Sequence, residues 1–266
     1  MACQEYKWII YEKSGGVSKI VINNPAKMNA LNEELVLEMR DALLDSQKDD
    51  EVRVIVLTGS GERAFCAGQD LSNFKKEFSA MDMYRYLRDT AYETHRLIEM
   101  IEKPVIARVN GHCVAGGFEF AMACDLIIAS ENATFGTTEV SRGLLPGAGG
   151  IVRLVKTISV KKAKEMLYTG ARISAKEAEV LGLVNRVVPQ TELDNAVKEI
   201  TDSICNIAPV VIRLAKMIAS HALEIPDIDS ALALERTAAS LIVSTEDSKE
   251  GAEAFLKKRR PVFKGR

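Results

Sequence analysis

Two acidic residues, Glu119 and Glu139, each lie in a neutral stretch beside a glycine-rich turn. Glu119 falls inside an apolar run that follows Gly116-Gly117, where an unpaired carboxylate is costly to bury. Glu139 follows a Phe-Gly turn and precedes a Pro-Gly-Ala-Gly-Gly loop. If Gly116 opens a helix, its N–H group has no partner within that helix and the positive helix end faces the turn. The pattern indicates acid–base chemistry on a substrate that develops an oxyanion.

Spacing alone leaves a structural interpretation open for both acids. Glu119 could be a partly buried carboxylate paired with an arginine or a lysine, and Glu139 could be an acid near a helix N-terminus at a surface turn. For either residue in isolation, the structural interpretation would be preferred. The two neighbouring glycine turns make the catalytic interpretation equally good, and the residue pattern does not decide between them.

Two other glycine motifs have some features of nucleotide-binding loops but lack their defining parts. Residues 59–64 follow a predicted strand and match the loose dinucleotide pattern, yet residues 65–68 are a poor start for the helix that this pattern requires. We therefore predict a turn there. Residues 147–150 open a predicted helix and could hold an anion, but the Lys-Ser/Thr of a phosphate-binding loop does not follow. Helix initiation and close packing are favoured for this cluster.

The histidines and cysteines indicate neither a metal site nor a thiol nucleophile. His95, His112 and His221 are far apart and no group has metal-ligand spacing, so we interpret the histidines as structural. Cys66 lies beside a small-residue turn without a suggested histidine partner, which favours packing. The five cysteines include Cys3 and show no CxxC spacing, so we expect free thiols in a reducing compartment.

Length and composition place the chain among ordinary globular proteins. Its 266 residues, 47% apolar and 27% charged, suffice for one large α/β domain or for a domain with a helical appendage. The formal net charge of −2 argues against a nucleic-acid partner, and no apolar run approaches the ~18 residues that span a bilayer. The first residues lack the apolar centre of a secretory signal. We therefore predict a cytoplasmic protein without nucleic-acid or membrane partners.

Short apolar strands alternate with amphipathic helices through the first 190 residues. Residues 6–11 and 17–22 predict a hairpin, and Asn32 is a plausible N-cap for a helix that ends at Lys48. Runs 53–58 and 104–109 are continuous apolar strands of the kind found in parallel sheets. This alternation predicts parallel crossovers in an α/β fold. Further elements are predicted as strands at 126–129 and 183–188 and helices at 82–102, 151–157, 160–169, 174–181, 193–205, 209–222, 230–243 and 247–258.

The ordered set of motifs resembles the enoyl-CoA hydratase/isomerase family, often called the crotonase superfamily. The similarity covers nearly the whole chain, and the set is far more specific than any single motif. The matching segments include AFCAGQDL at 64–71, AGGFE at 115–119, GLLPGAGG at 143–150, and residues 23–25, 27–31, 103–107, 110–111, 123–125, 135–136, 139, 250–255, 257–259 and 263–264.

This resemblance implies a crotonase-like α/β fold, which is a spiral of ββα units with a C-terminal helical trimerisation region. Residues 1–190 would form the α/β core with the acyl-CoA site. Residues 191–266 would form a helical region for oligomerisation and for covering the active site, in a homotrimer or a homohexamer. Coenzyme A is part of the implied acyl-CoA substrate, so no separate cofactor and no metal are expected.

The resemblance also assigns site residues. The N–H groups of Ala67 and Gly116 would form an oxyanion hole for the thioester oxygen, and Glu119 and Glu139 would be catalytic. In the usual assignment of the family, Glu119 is the base and Glu139 the acid. The residues that match CoA-contacting segments are Lys27, Ala30, Gln69, Asp70, Leu71, Phe263 and Lys264, of which the last two belong to a tail that can reach a neighbouring subunit's CoA.

Both acidic positions are filled, which favours reversible hydration of a 2-enoyl-CoA to a 3-hydroxyacyl-CoA. Family isomerases often retain only the later acid, so an enoyl-CoA isomerase, or another acyl-CoA lyase or hydrolase, is the alternative. Some relatives bind RNA through a lysine-rich helix, but the equivalent helix at 33–48 is rich in acids and we expect no RNA binding. Several residues depart from the family pattern and leave a cyclic, branched or polar acyl group open, namely Phe118, Thr137, Thr138, Arg142 and Arg108.

Overall fold

The computed structural model describes residues 5–73 and 79–266, so Cys3 lies outside the described residues. The strands within these residues are β1 Ile9–Ser14, β2 Val17–Ile22, β3 Val54–Gly59, β4 Ala64–Cys66, β5 Val105–Val109, β6 His112–Val114, β7 Leu126–Ser130, β8 Thr134–Gly136, β9 Ile173–Ser174 and β10 Arg186–Val188. The α-helices are α1 Glu33–Lys48, α2 Ala80–Tyr86, α3 Glu93–Met100, α4 Gly116–Ala123, α5 Gly150–Thr157, α6 Val160–Thr169, α7 Ala175–Val180, α8 Leu193–Cys205, α9 Pro209–Ala222, α10 Ile228–Ile242 and α11 Glu246–Leu256.

The larger sheet has the strand order β1-β2-β3-β5-β7-β10 and is parallel except for the β1–β2 hairpin. Every residue of β3 is buried, because helices cover both faces of the sheet. Ile55 and Leu57 point into the core shared with α1 and α3, whereas Val54 and Val56 pack against α8. The prediction of buried parallel strands here and at β5 is confirmed.

A smaller sheet, with the order β4-β6-β8-β9, was not predicted from the residue pattern. Strands β4, β6 and β8 have three residues each and run parallel to one another. Three residues are too few to show a period of two, so their pairing becomes visible only in the fold. The carboxyl ends of these three strands lie at one edge of the sheet, and the predicted site residues Ala67, Gly116 and Glu139 follow them.

Most predicted helix bounds agree with the structure to within two residues. Asn32 caps α1 by accepting a hydrogen bond from the N–H of Leu35 at 2.8 Å, as predicted. The helix predicted over 82–102 is instead α2 and α3 joined by a π-helical turn, Leu87–Tyr92. The first strand begins at Ile9 rather than at residue 6, because the Glu38 carboxylate takes the N–H groups of both residues that precede Ile9.

The C-terminal helices differ in how extensively they contact the core. Helix α8 packs on the larger sheet, and α9 is held by Lys216, whose ammonium donates to the Asp125 carboxylate at 2.7 Å and to two carbonyl oxygens at 3.0 Å. Helix α10 buries one residue within the described chain, Ala238, and leaves Ile228 and Leu241 more than 60% exposed. The exposed apolar residues of α10 form a stripe, and its burial in an oligomer stays a prediction. The division of the chain into two regions at residue 190 also stays a prediction.

We find no single helix in the described residues that has the length and apolar content to cross a membrane. One pair of helical segments, 190–205 with 209–222, meets both criteria together but bends by 107° between its halves.

Asn110 holds the turn that leads into β4. Its side chain is fully buried, and Nδ2 donates to the carbonyl oxygens of Gly59, Gly61 and Ala64 at 3.0, 2.6 and 3.2 Å. Ala67 follows β4 directly, so this amide helps to position the strand that precedes the Ala67 N–H group. Backbone carbonyls buried without a donor are costly, and Asn29 shares this task by donating to the carbonyl oxygens of Ser60 and Ala64 at 3.0 and 2.8 Å.

Replacing Asn110 by alanine should lower the free energy of unfolding by about 2–4 kcal/mol, because buried carbonyl oxygens lose their donor. Urea denaturation would measure this change. Asn195→Ala is the matched control, since that amide is exposed and donates only to the nearby Glu192; its effect should stay below about 0.5 kcal/mol. Equal stability of Asn110→Ala and the parent protein would contradict the role assigned to Asn110.

Candidate active site

A cavity of about 510 Å³ lies at the carboxyl edge of the smaller sheet. Its walls come from the turns after β4, β6 and β8, from α2, the π-helical turn and α3, and from the loop before α5. Nine of the eleven predicted site residues line it: Lys27, Ala30, Ala67, Gln69, Asp70, Leu71, Gly116, Glu119 and Glu139. The two acids therefore share one cavity with the two predicted oxyanion-hole residues.

The N-terminus of α4 opens into this cavity. Gly116 is the first helical residue, so its N–H group has no partner within the helix, and no side chain caps this end. The preceding residue, Ala115, has φ 52° and ψ −131°, a conformation that L-residues rarely adopt. Gly68 packs against it, and a Cβ there would lie 2.6 Å from the Ala115 Cβ. The strained turn thus leaves Gly116 accessible from the cavity.

The second predicted oxyanion donor is not free in this structure. The Ala67 N–H group donates to the carbonyl oxygen of Met28 at 3.1 Å. Met28 has φ 55°, and its turn brings this carbonyl oxygen against the end of β4. To bind a thioester oxygen, the Ala67 N–H must share or exchange this bond. The sequence pattern offered no sign of this competitor.

Glu119 is held by backbone N–H groups and not by the arginine or lysine that the structural interpretation required. Its Oε1 accepts from the N–H groups of Ala148 and Gly150, both at 2.8 Å, at the N-terminus of α5. A Cβ on Gly150 would lie 2.9 Å from this oxygen, so the close approach requires glycine. Burial raises the pKa of Glu119, and the two N–H groups oppose that shift. The glycine cluster at 147–150 does hold an anion, and that anion is Glu119.

Glu139 lies at the start of a 3-10 turn, Val140–Arg142, directly after the smaller sheet. Its Oε2 is buried and has no hydrogen-bond partner within the described residues. Burial raises the pKa of this carboxyl to about 7, and the negative charge of Glu119 adds to the effect. Glu139 does begin a short helical turn, as the structural interpretation expected, but its Oε2 is buried and not solvated.

At the outer end of the cavity, a lysine and an aspartate form an ion pair. The Lys27 ammonium lies 2.6 Å from Oδ2 of Asp70 and 2.9 Å from the Ser72 hydroxyl. Hydrogen bonds from the Lys27 ammonium and from the Ser72 hydroxyl lower the pKa of the Asp70 carboxyl. Leu31 and Gln69 form a parallel bridge that keeps this loop beside the cavity.

The structure does not bring Phe263 and Lys264 to the cavity of their own chain. The Phe263 ring rests near Gly251 of α11, and the Lys264 N–H donates to the Asp247 carboxylate at 2.7 Å. Asp247 is itself buried and also accepts from the N–H of Gly265. The tail is thus anchored on α11, and a role at a neighbouring subunit's CoA stays a prediction.

His95, which we interpreted as structural, also lines the cavity. Its ring stacks on Phe120 at 3.8 Å, and Nδ1 donates to the Ala91 carbonyl oxygen at 2.6 Å. Burial lowers the pKa of His95 to about 4, so the ring is neutral. Its Nε2 is buried without a partner in the described part of the chain.

The π-helical turn explains why the sequence did not indicate His95. An α-helix rotates about 100° per residue, so the face that carries Met83 and Leu87 would continue through Thr94. The π turn adds one residue and moves that face to Ala91 and His95, both of which line the cavity. Thr94 is instead buried elsewhere, with its hydroxyl donating to the Thr90 carbonyl oxygen. Nothing in the local residue types predicts this insertion.

The other titratable groups show no further centre. Among residues 5–73 and 79–266, no group of three or more His, Cys, Asp or Glu side chains could hold a metal ion. Cys66 and Cys113 are buried free thiols, and burial raises the pKa of Cys66 to about 12. A thiol that stays protonated is a poor nucleophile. The two carboxyl groups beside a helix N-terminus are suited to acid–base transfer.

Glu139 makes stability depend on pH in a defined direction. The folded state keeps a proton up to about pH 7 that the unfolded chain releases near pH 4.5, so this carboxyl weakens the fold as pH rises through that window. Relative to the parent, Glu139→Gln should therefore gain stability from pH 5 to pH 8, by on the order of 2 kcal/mol. Chemical denaturation at both pH values measures this, with exposed Glu131→Gln as the control. A difference that stays constant or reverses would contradict the buried carboxyl.

Comparison with known proteins agrees with this architecture. The family model described as enoyl-CoA hydratase/isomerase matches residues 12–266. The chain is 42% identical to the short-chain-enoyl-CoA hydratase of Clostridium acetobutylicum, over 95% of each protein, and 43% identical to the crotonyl-CoA hydratase of Syntrophomonas wolfei, over 97% of this chain and 98% of that one. The crystal structure of an enoyl-CoA hydratase from Bacillus anthracis superposes with a TM-score of 0.93 at 37% identity, covering 98% of this chain and all of that one. The chain has the crotonase fold and belongs to the enoyl-CoA hydratase/isomerase family.

Proposed function

We propose that this protein is an enzyme that adds water reversibly to the double bond of a 2-enoyl-CoA. One observation carries the proposal: Glu119 and Glu139 line the same cavity as the N-terminus of α4. Two relatives named as hydratases of short enoyl-CoA esters, each matched over at least 95% of its length, support the same reaction. The cavity volume of about 510 Å³ suits an acyl chain with part of the pantetheine arm.

In the proposed reaction, the thioester oxygen lies against the N–H group of Gly116 and shares that of Ala67 with Met28. These donors stabilise the enolate, and one such donor typically contributes about 2.7–4 kcal/mol to the transition state. The α4 helix dipole favours the same negative charge. Water approaches Cβ between the two carboxyl groups.

The environments of the two acids support a division of labour. Two N–H groups favour the ionised form of Glu119, so we assign it as the base that takes a proton from water as the hydroxyl oxygen bonds to Cβ. Glu139, with a pKa of about 7, retains a proton that it delivers to Cα. The product is a 3-hydroxyacyl-CoA. The two carboxyl groups return to their starting protonation when the product leaves, and because they interact, their titration belongs to the pair.

Replacing either acid by glutamine should lower kcat for crotonyl-CoA hydration by about 10²–10⁴-fold, because each supplies one proton transfer. Binding of a saturated acyl-CoA should persist, since neither substitution removes the Gly116 donor or the cavity walls. Glu131→Gln, on the exposed surface, is the matched control. Near-normal turnover in Glu119→Gln or Glu139→Gln would overturn the assignment.

Labelled water separates hydration from double-bond isomerisation, the alternative within the family. With crotonyl-CoA in ¹⁸O water, the proposal expects one labelled oxygen at Cβ of the product, detected by mass spectrometry. An isomerase given a 3-enoyl-CoA would instead yield an unlabelled 2-enoyl-CoA. Isomerised product without incorporated oxygen would contradict the hydratase proposal and identify the protein as an isomerase.

We also propose that the helical region 191–266 assembles the protein into a homotrimer or homohexamer. The exposed apolar residues of α10 support this, because a stripe of that size is normally covered. Sedimentation equilibrium should give three or six chains per particle, and Leu241→Glu should shift that distribution towards monomer while Glu235→Gln, on the same helix, should not. A monomeric parent protein at micromolar concentration would rule out this assembly.

A further inference from the structure

Arg142 lines the same cavity as the two acids. It ends the 3-10 turn that begins after Glu139, and its N–H donates to the Glu139 carbonyl oxygen at 2.8 Å. In a 3-10 helix, side chains three residues apart lie on the same side. Arg142 and Glu139 therefore project in the same direction, and both contribute to the cavity wall.

The guanidinium of Arg142 acts electrostatically on the neighbouring Glu139 carboxyl but forms no ion pair with it within 4.0 Å. Its guanidinium donates to the Thr138 carbonyl oxygen at 3.2 Å, within its own turn. Among the ion pairs of residues 5–73 and 79–266, none within 4.0 Å includes Arg142. Lys27, the other cation on the cavity wall, is already neutralised by Asp70 at 2.6 Å. The cavity thus carries one positive charge available to a ligand.

The immediate surroundings of Arg142 are apolar. Leu144 and Leu145 follow it in the same loop, and Leu87 faces that loop from the π-helical turn, with its side chain 2.8 Å from where a Cβ on Gly147 would lie. These leucines make the part of the cavity wall beside the guanidinium apolar. Such a wall binds an apolar chain that ends in an acceptor group.

We infer that Arg142 binds a carboxylate at the far end of the acyl group, so the substrate is a CoA monothioester of an unsaturated dicarboxylic acid. The inference rests on the proposed hydratase function and adds the class of substrate. A guanidinium presents two parallel N–H groups that match a carboxylate, and it keeps its charge at every physiological pH. Because Arg142 is solvent-exposed, water and salt weaken this contact, so its contribution is moderate.

The same guanidinium could instead bind a phosphate of CoA, which is also anionic. The two sources differ in what they predict. A phosphate contact would serve every acyl-CoA equally, whereas a carboxylate contact would serve only acyl groups that carry the terminal charge. A pair of ligands with equal carbon number but different ends therefore separates them.

The test compares adipoyl-CoA with hexanoyl-CoA, which have six acyl carbons each and lack the double bond. Isothermal titration gives Kd for both with the parent protein and with Arg142→Met. The parent should bind adipoyl-CoA better than Arg142→Met does by about three- to fivefold, with hexanoyl-CoA showing no such loss. Arg142→Lys should restore part of the difference, because lysine keeps the positive charge but lacks the two parallel N–H groups of a guanidinium. Arg85→Met, an exposed arginine on α2 that does not line the cavity, is the control.

Equal losses for both ligands in Arg142→Met would assign the residue to CoA and overturn the inference, as would an unchanged preference. Neither ligand can be hydrated, so this binding test is independent of catalysis. A second measurement compares kcat/KM for 2,3-dehydroadipyl-CoA and crotonyl-CoA, whose ratio should fall about three- to fivefold in Arg142→Met. Absent hydration of both substrates with intact carboxylate-dependent binding would reject the proposed reaction and leave the Arg142 inference standing.

Discussion

The parallel register of three short strands is the constraint on which the site depends. Strands β4, β6 and β8 end at one edge of the smaller sheet, and the chain leaves them at Ala67, at the turn before Gly116, and shortly before Glu139. Residues far apart in sequence thereby line one cavity, in keeping with the rule that ligands bind at the carboxyl ends of parallel strands. The strands themselves are too short to be stable alone, so packing on the larger sheet and the buried Asn110 amide hold them in place.

The fold uses a second helix end to hold one of the acids. Two N–H groups at the start of α5 hold the Glu119 carboxylate, and Gly150 allows the approach. Glu139 has no comparable donors for its buried Oε2 within the described residues, so burial and the neighbouring charge of Glu119 dominate its pKa. Two residues of the same type thus acquire different proton affinities from their surroundings, which is the physical requirement for one to act as base and the other as acid.

Different parts of the cavity wall have different consequences for the substrate. The helix end and the paired acids suit any enoyl thioester, whereas the π-helical turn and the loop after Glu139 shape the part that would surround the acyl group. His95 contributes a neutral ring nitrogen that has no hydrogen-bond partner among the described residues, and Arg142 contributes a charge. Since similar folds support different substrates by altering such side chains, we expect these residues to bear on specificity more than on the type of reaction.

The sequence by itself determined the strands of the larger sheet, most helix bounds and nine of the residues that line the cavity. Apolar periodicity, caps such as Asn32 and an ordered set of motifs are all signals that can be read along the chain. Only the tertiary structure decided what each group contacts. The occupied Ala67 N–H group, the backbone donors of Glu119 and the exposure of His95 to the cavity depend on segments brought together from distant parts of the chain. A three-residue strand or a single inserted residue in a helix leaves no periodic trace, so the smaller sheet and the π-helical turn could be recognised only once packing had selected them.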